Sequence, residues 1–209
     1  MKMFGVGKVV LSVAVGIFAF AASAEEMRLA SIFTDHMVFA AGKPVRVFGT
    51  GDGEVGVTFR GKTVKGESIY GKWCVTLPAG EAGGPFEMKV SGEKSGEASA
   101  RDVLVGEVWL CSGQSNMAFL MRDAKPGWDD RPDDAQLRCF TVTNRYGFGV
   151  SARAEGGWLT ATREDVKKFS AVGGCFAAAL RRELGLRLLL GGDLPREDLK
   201  ERFSFPKEE

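Results

Sequence analysis

The chain has 209 residues, 44% of them hydrophobic and 26% charged, proportions that fit a folded protein and exclude a disordered one. Its 28 basic residues face 27 acidic ones, and Lys2 and Lys8 lie in a leading stretch without acidic residues, so the remainder is one charge negative. A chain so near neutrality has no electrostatic footprint for nucleic acid or an anionic membrane, so neither is expected as a partner.

Lys2 and Lys8 precede a continuous apolar run, Val9 to Ala22, and Ala22-Ser23-Ala24 supplies small residues just before Glu25-Glu26. This is the pattern of a secretory signal peptide over residues 1–24, cleaved after Ala24. The run is too short to span a bilayer, which needs about 18–20 apolar residues. The mature chain is therefore expected to be secreted or periplasmic, with no membrane association after cleavage.

From Leu29 to Val90 the pattern has period two. Val55, Val57 and Phe59 alternate with polar or small residues, as do Trp73, Val75 and Leu77, and then Phe86, Met88 and Val90. Gly49 to Gly53 and Gly61-Lys62 punctuate these runs as turns. Short alternating strands between glycine-rich turns predict an all-β domain of the sandwich type, jelly-roll or immunoglobulin-like, over residues 25–101.

The texture changes after Gly92. A polar stretch to Asp102 leads into Val103-Leu104-Val105 and then Val108-Trp109-Leu110-Cys111, apolar without alternation, as in a central strand covered on both faces. Ser112 to Met117 forms a turn and Ala118 to Met121 begins a helix-like run. Leu137 to Val142 reads as a strand. Thr162 and Asp165 form a capping-box signature ahead of a helix with Phe169, Val172, Phe176, Leu180 and Leu184 on one face and Gly185 as its C-terminal cap. Ala171, Gly173, Gly174 and Ala177 allow that helix to approach a sheet closely. Buried strand, glycine turn and helix make an α/β arrangement, whose sites gather at strand carboxyl ends.

Asp123 to Asp134 is a loop by composition. Its Asp129, Asp130, Asp133 and Asp134 lack the alternate spacing, central glycine and terminal Glu of a calcium loop, so they read as solvated. Cys74, Cys111, Cys139 and Cys175 are too far apart for a zinc pattern and sit in apolar contexts, as buried free thiols do. Neither a metal nor a cofactor is expected. The tail from Asp193 to Glu209 is densely charged and without period, the composition of a disordered segment.

Ser115 is the candidate nucleophile. A serine hydroxyl used in catalysis needs exposure on a sharp turn, a general base, and N–H donors for its oxyanion. A strand-to-helix turn supplies the first and third, and Gly113 lets the backbone turn tightly. On chemistry alone the Gly-Gln-Ser-Asn sequence serves a surface turn equally well.

The segment Val105-Gly106-Glu107-Val108-Trp109-Leu110-Cys111-Ser112-Gly113-Gln114-Ser115-Asn116-Met117 closely resembles the hallmark of the sialate O-acetylesterase family, within the SGNH (GDSL-like) hydrolases. Ile32 to Val38 is similar to that family's opening segment, followed by Lys43-Pro44-Val45. Gly71-Lys72-Trp73, Leu77-Pro78, Phe169 to Gly173 and Leu184-Gly185 also match in order. The resemblance implies an α+β two-domain fold: a β-sandwich (25–101), an incomplete three-layer α/β esterase domain (102–190), and a divergent charged tail (191–209). It implies that Ser115 attacks O-acetyl esters on sialic acid or another sugar, its own N–H contributing to the oxyanion hole. Gln114 and Asn116 then shape the turn.

Departures from the family pattern bear on the mechanism. Ala40-Ala41 stand where the family has Gln-Arg. Past Gly185 the family continues into a further strand, a glycine-rich loop and, much later, an Asp-x-x-His segment. Here Leu186-Arg187-Leu188 diverges at once, as after a frameshift, a premature stop or a wrong gene boundary. The sole histidine is His36, in the segment similar to the family's non-catalytic opening, so a structural role is expected for it. A carboxylate with pKa near 4 is a weak replacement base. The chain alone is therefore expected to show little or no esterase activity, and the alternative is a non-catalytic carbohydrate-binding or interaction module.

Overall fold

The computed structural model describes residues 25–124, 133–143, 154–184 and 188–191. The leader over 1–24, Asp129 and Asp130, the Gly185 cap and the charged tail from Asp193 lie outside the described residues. The elements are β1 (Arg28–Leu29), β2 (Val38–Ala40), β3 (Val45–Thr50), β4 (Glu54–Phe59), β5 (Lys62–Glu67), β6 (Lys72–Leu77), β7 (Gly83–Gly92) and β8 (Gly96–Leu110). There follow α1 (Ser115–Ala118), β9 (Asp134–Val142), β10 (Gly156–Ala161), α2 (Ala171–Leu184) and β11 (Leu188–Gly191), with single 3-10 turns at Met121–Asp123 and Asp165–Lys168. The chain is mostly β, with few helices.

Strands β1, β3 and β6 form one small sheet, and β10-β9-β11-β8-β7-β4-β5 form a larger one to which β2 adds by pairing with β8. Period-two residues build the core between them. Val47, Trp73, Val75 and Leu77 from the small sheet share one buried cluster with Val55, Val57, Met88, Val90 and Val103 from the large one. Strands β4 and β6 send alternate side chains to that core, and their outward positions are polar or small. Phe33, Phe39, Phe48, Phe59 and Phe86 continue the cluster as a chain of edge-to-face rings.

The polar stretch before Asp102 is itself a strand. Gly96 to Ala100 pairs with Met88 to Gly92 across a tight turn, so β8 runs unbroken through Arg101-Asp102 into the apolar segment. Its later part pairs in parallel with β2 at Leu104 to Gly106 and with β11 at Glu107 to Leu110. Val103, Leu104 and Val105 are fully buried, whereas Val108, Trp109 and Leu110 are each about 40% exposed. Coverage on both faces thus applies to the earlier trio and fails for the later one. Among the described residues Trp109 meets only the edge of Phe176 on α2 (5.5 Å) as a ring partner.

Helix α2 also differs from the expected packing. Thr162 does accept a hydrogen bond from the Asp165 N–H (3.0 Å), but that bond caps the 3-10 turn. The helix proper is capped by Ser170, whose Oγ accepts from the Gly173 N–H (3.2 Å). Its buried face is the small one, Ala171, Gly173, Gly174 and Ala177, while Val172 and Phe176 are more than 40% exposed. A side chain at Gly174 would strike Met121, so close approach selects the small residues and turns the large ones outward.

Arg138 on β9 is 2% exposed. Its Nη2 donates to Asp102 Oδ2 (2.8 Å), and the same oxygen lies 2.7 Å from His36 Nδ1. Both His36 (φ 69) and Asp102 (φ 54) occupy the left-handed region. The backbones beside them are tied by His36 N–H to Arg101 O (3.0 Å) and by Arg101 N–H to Asp35 Oδ1 (2.7 Å). Burial pulls the guanidinium pKa down and the Asp102 carboxylate opposes that pull. The cluster pins the segment before β2 to β8 and β9.

The cysteines divide. Cys139 is buried and Cys111 half-buried, but Cys74 and Cys175 are exposed, which corrects the expectation of four buried thiols. Cys74 occupies an outward position of β6, where alternation overrides its apolar neighbours. Burial pushes the Cys139 thiol up to about 11. Iodoacetamide mapping of the folded chain should therefore label Cys74 and Cys175 at neutral pH. Cys139 should stay unlabelled until its thiolate forms near pH 11 or the chain unfolds.

Asp102→Asn keeps the left-handed backbone accessible but leaves a buried cation unpaired. It should lower stability by about 2–3 kcal/mol in urea titrations. Adding Arg138→Met should restore part of that loss, because the orphaned charge goes with it.

Candidate active site

Strand β8 ends at Leu110, and Cys111 to Gln114 carries the chain into α1, whose first residue is Ser115. Gln114 is the extended N-cap of that turn (φ −95, ψ −159). Gly113, Gln114, Ser115 and Asn116 are all exposed and lie in this one turn. A Cβ at Gly113 would sit 3.3 Å from the Met117 Cβ, so the turn closes tightly there.

The Met117 N–H donates to the Gln114 carbonyl (2.8 Å). The N–H groups of Ser115 and Asn116 have no acceptor among the described residues, and the Ser115 hydroxyl has no partner among them. An exposed hydroxyl beside N–H donors without an acceptor among the described residues is chemically suited to attack a carbonyl and to receive the resulting oxyanion. What supplies a base is a separate matter. The His36 ring reaches Asp102 and, at 3.5 Å, Arg138 Nη1, and among the described residues it has no contact with Ser115.

The turn is held from below by residues the sequence reading did not assign to it. Ser170 donates its hydroxyl to the Met117 sulfur (3.3 Å) while capping α2. Ala171 N–H donates to Phe119 O (2.8 Å) and Met121 N–H to Phe169 O (2.8 Å), so Phe119 to Met121 is clamped to the start of α2. Phe169 is wholly buried. Gly173 faces Cys111, whose thiol pKa burial raises. The sequence signal for this support was the small-residue run beginning at Ala171, which marks close approach without naming the partner.

Of the aspartates in the neighbouring loop, Asp133 accepts from the Arg163 N–H (2.6 Å). Asp134 accepts from the Gln136 N–H (3.0 Å) and pairs with Arg181. Their oxygens are thus engaged by protein donors.

No family model matches the chain. It is 37% identical over 136 residues to a sialate O-acetylesterase of Rattus norvegicus, an alignment covering 56% of this chain and 24% of that protein. It is 38% identical over 103 residues to a sialate O-acetylesterase of Homo sapiens, covering 43% of this chain and 20% of that protein. A crystal structure of a carbohydrate acetylesterase from Xanthomonas citri matches with a TM-score of 0.75 at 36% identity. That match covers 79% of this chain and 39% of the other. The chain spans about a quarter of the length of the curated relatives it matches. Over the part it shares with these relatives, the chain is similar to sialate O-acetylesterases and to a carbohydrate acetylesterase.

Proposed function

We propose that the chain carries the nucleophile-bearing part of a serine carbohydrate O-acetylesterase. The observation that carries the reading is Ser115, exposed where β8 gives way to α1, beside two N–H groups that have no acceptor among the described residues. The names borne by its relatives point to O-acetylated sugars, sialic acid among them, as the substrate class. Architecturally the reading is a β-sandwich from the two sheets that share a core, then part of an SGNH-type α/β domain from about Asp102. The mature protein acts outside the cytoplasm, after removal of residues 1–24.

The chemistry follows from the turn. Ser115 Oγ attacks the acetyl carbonyl carbon, its proton passes to a base, and the carbonyl oxygen becomes an oxyanion facing the Ser115 and Asn116 N–H groups. Collapse of the tetrahedral adduct breaks the carbon–oxygen bond to the sugar, which leaves as the alcohol after taking up a proton. Water then attacks the acetyl-serine by the reverse proton route and releases acetate. With His36 engaged by Asp102 and Arg138, the 209-residue chain lacks an efficient base. Loss of a triad member costs several orders of magnitude in rate, about 10³–10⁶.

Hydrolysis of 4-nitrophenyl acetate tests this with exogenous imidazole as the missing base. The chain should show negligible turnover above background without imidazole. With it, an increment should appear that Ser115→Ala abolishes. The absence of any Ser115-dependent increment would remove the nucleophile assignment, and full activity without imidazole would remove the claim of a missing base.

A further inference from the structure

A cavity of about 280 Å³ opens where three turns of the β-rich part meet. The β2–β3 connection contributes Lys43, the β4–β5 turn Arg60 and the adjoining Lys62, and the β6–β7 connection Glu81. Gly42 N–H donates to Gly80 O (2.8 Å) and ties the first connection to the third. The floor is apolar: Phe39 and Phe59, both buried, meet edge-to-face at 5.3 Å.

The charges around the rim are unbalanced. Three cations face one carboxylate, and Lys43, Arg60 and Lys62 have no ion-pair partner among the described residues. Arg60 is also strained. It has φ 52 at the first of two successive left-handed positions, ahead of Gly61 (φ 74), where Asn, Asp or Gly suits a two-residue hairpin turn. A non-glycine side chain there costs about 1–2 kcal/mol. Strain of this kind persists where function or the surrounding structure holds it. Here the guanidinium lies 4.9 Å over the Phe86 ring and donates to Glu81 O (3.0 Å), which positions it and leaves further N–H donors. Gly80 leaves room for it, since a Cβ there would come within 2.6 Å of Arg60 Nη1.

We infer that this cavity is a second, non-catalytic binding site for a carboxylate-bearing sugar. The carboxylate is held by Lys43, Arg60 and Lys62, and the apolar face of the ring lies against the Phe59 side of the floor. The volume, just below that of drug-sized pockets, fits one sugar unit. That the anion belongs to a sugar rests on the esterase reading, whereas the anionic, half-apolar character rests on the cavity alone.

Calorimetric titration of the full chain with glucuronate, N-acetylneuraminate, hexanoate and glucose tests the site. Both sugar acids should bind, with glucose and hexanoate at least about tenfold weaker. Lys43→Ala combined with Lys62→Ala should weaken sugar-acid binding about tenfold, each exposed charge pair being worth a few-fold. Arg60→Asn should weaken it about fivefold while holding or raising the thermal midpoint, because Asn suits the turn better. Ser115→Ala should bind as the unaltered chain does. Equal binding of glucose, or sugar-acid binding unchanged in both cation variants, would overturn the site. Hexanoate binding as tightly as glucuronate would overturn the sugar assignment. Loss of the imidazole-dependent hydrolysis with sugar-acid binding intact would sink the esterase reading and leave the site standing.

Discussion

The larger sheet is arranged along one strand, β8, whose 15 residues change environment twice. Its first third alternates and pairs antiparallel with β7. Its middle, Val103 to Gly106, is buried and flanked in the sheet by β2 and by β7. Its end pairs in parallel with β11 and delivers the chain to Ser115. A parallel ladder along the last residues of β8 leaves the following turn free at the carboxyl end of the sheet, and that is why the exposed Ser115 side chain emerges there. Moving β8 by one residue would exchange its faces and reverse which side chains reach the core.

Polar pins hold this strand to its surroundings at a cost the apolar core offsets. Burying the Arg138 guanidinium is unfavourable in isolation, and Asp102 compensates with one carboxylate oxygen shared with His36. Two residues in the left-handed region face each other across that oxygen. Such a cluster contributes more to fixing where the opening segment sits than to net stability. At the other end of β8 the restraint is of a different kind: Ser170 and the small face of α2 brace the turn after Ser115 through close backbone contact.

Legibility differed from element to element for physical reasons. Val55-Val57-Phe59 and Trp73-Val75-Leu77 were readable as strands because period two is a local property, and the structure buries each of these side chains. The polar run from Gly96 to Asp102 was not, because its strand character comes from pairing with β7 and its side chains carry almost no apolar signal. Val108 to Leu110 looked like a doubly covered strand, yet hydrophobicity alone does not say whether a layer lies above it. Helix α2 was visible by its spacing of threes and fours, but the packed face was the small one. Distance of approach, which no periodicity encodes, made that choice.

What the sequence determined by itself was the alternation of the strands, the strand–turn–helix setting of Ser115, and the family to which the Val105–Met117 segment points. These rest on residues within a few positions of one another. Only the tertiary structure decided the rest: that His36 meets Asp102 and Arg138, that Ser170 supports the turn carrying Ser115, and that Lys43, Arg60 and Lys62 surround one cavity. Those partners lie far apart in the chain. They are brought together by strand pairing and core burial, free energies that belong to the whole fold and to no single segment.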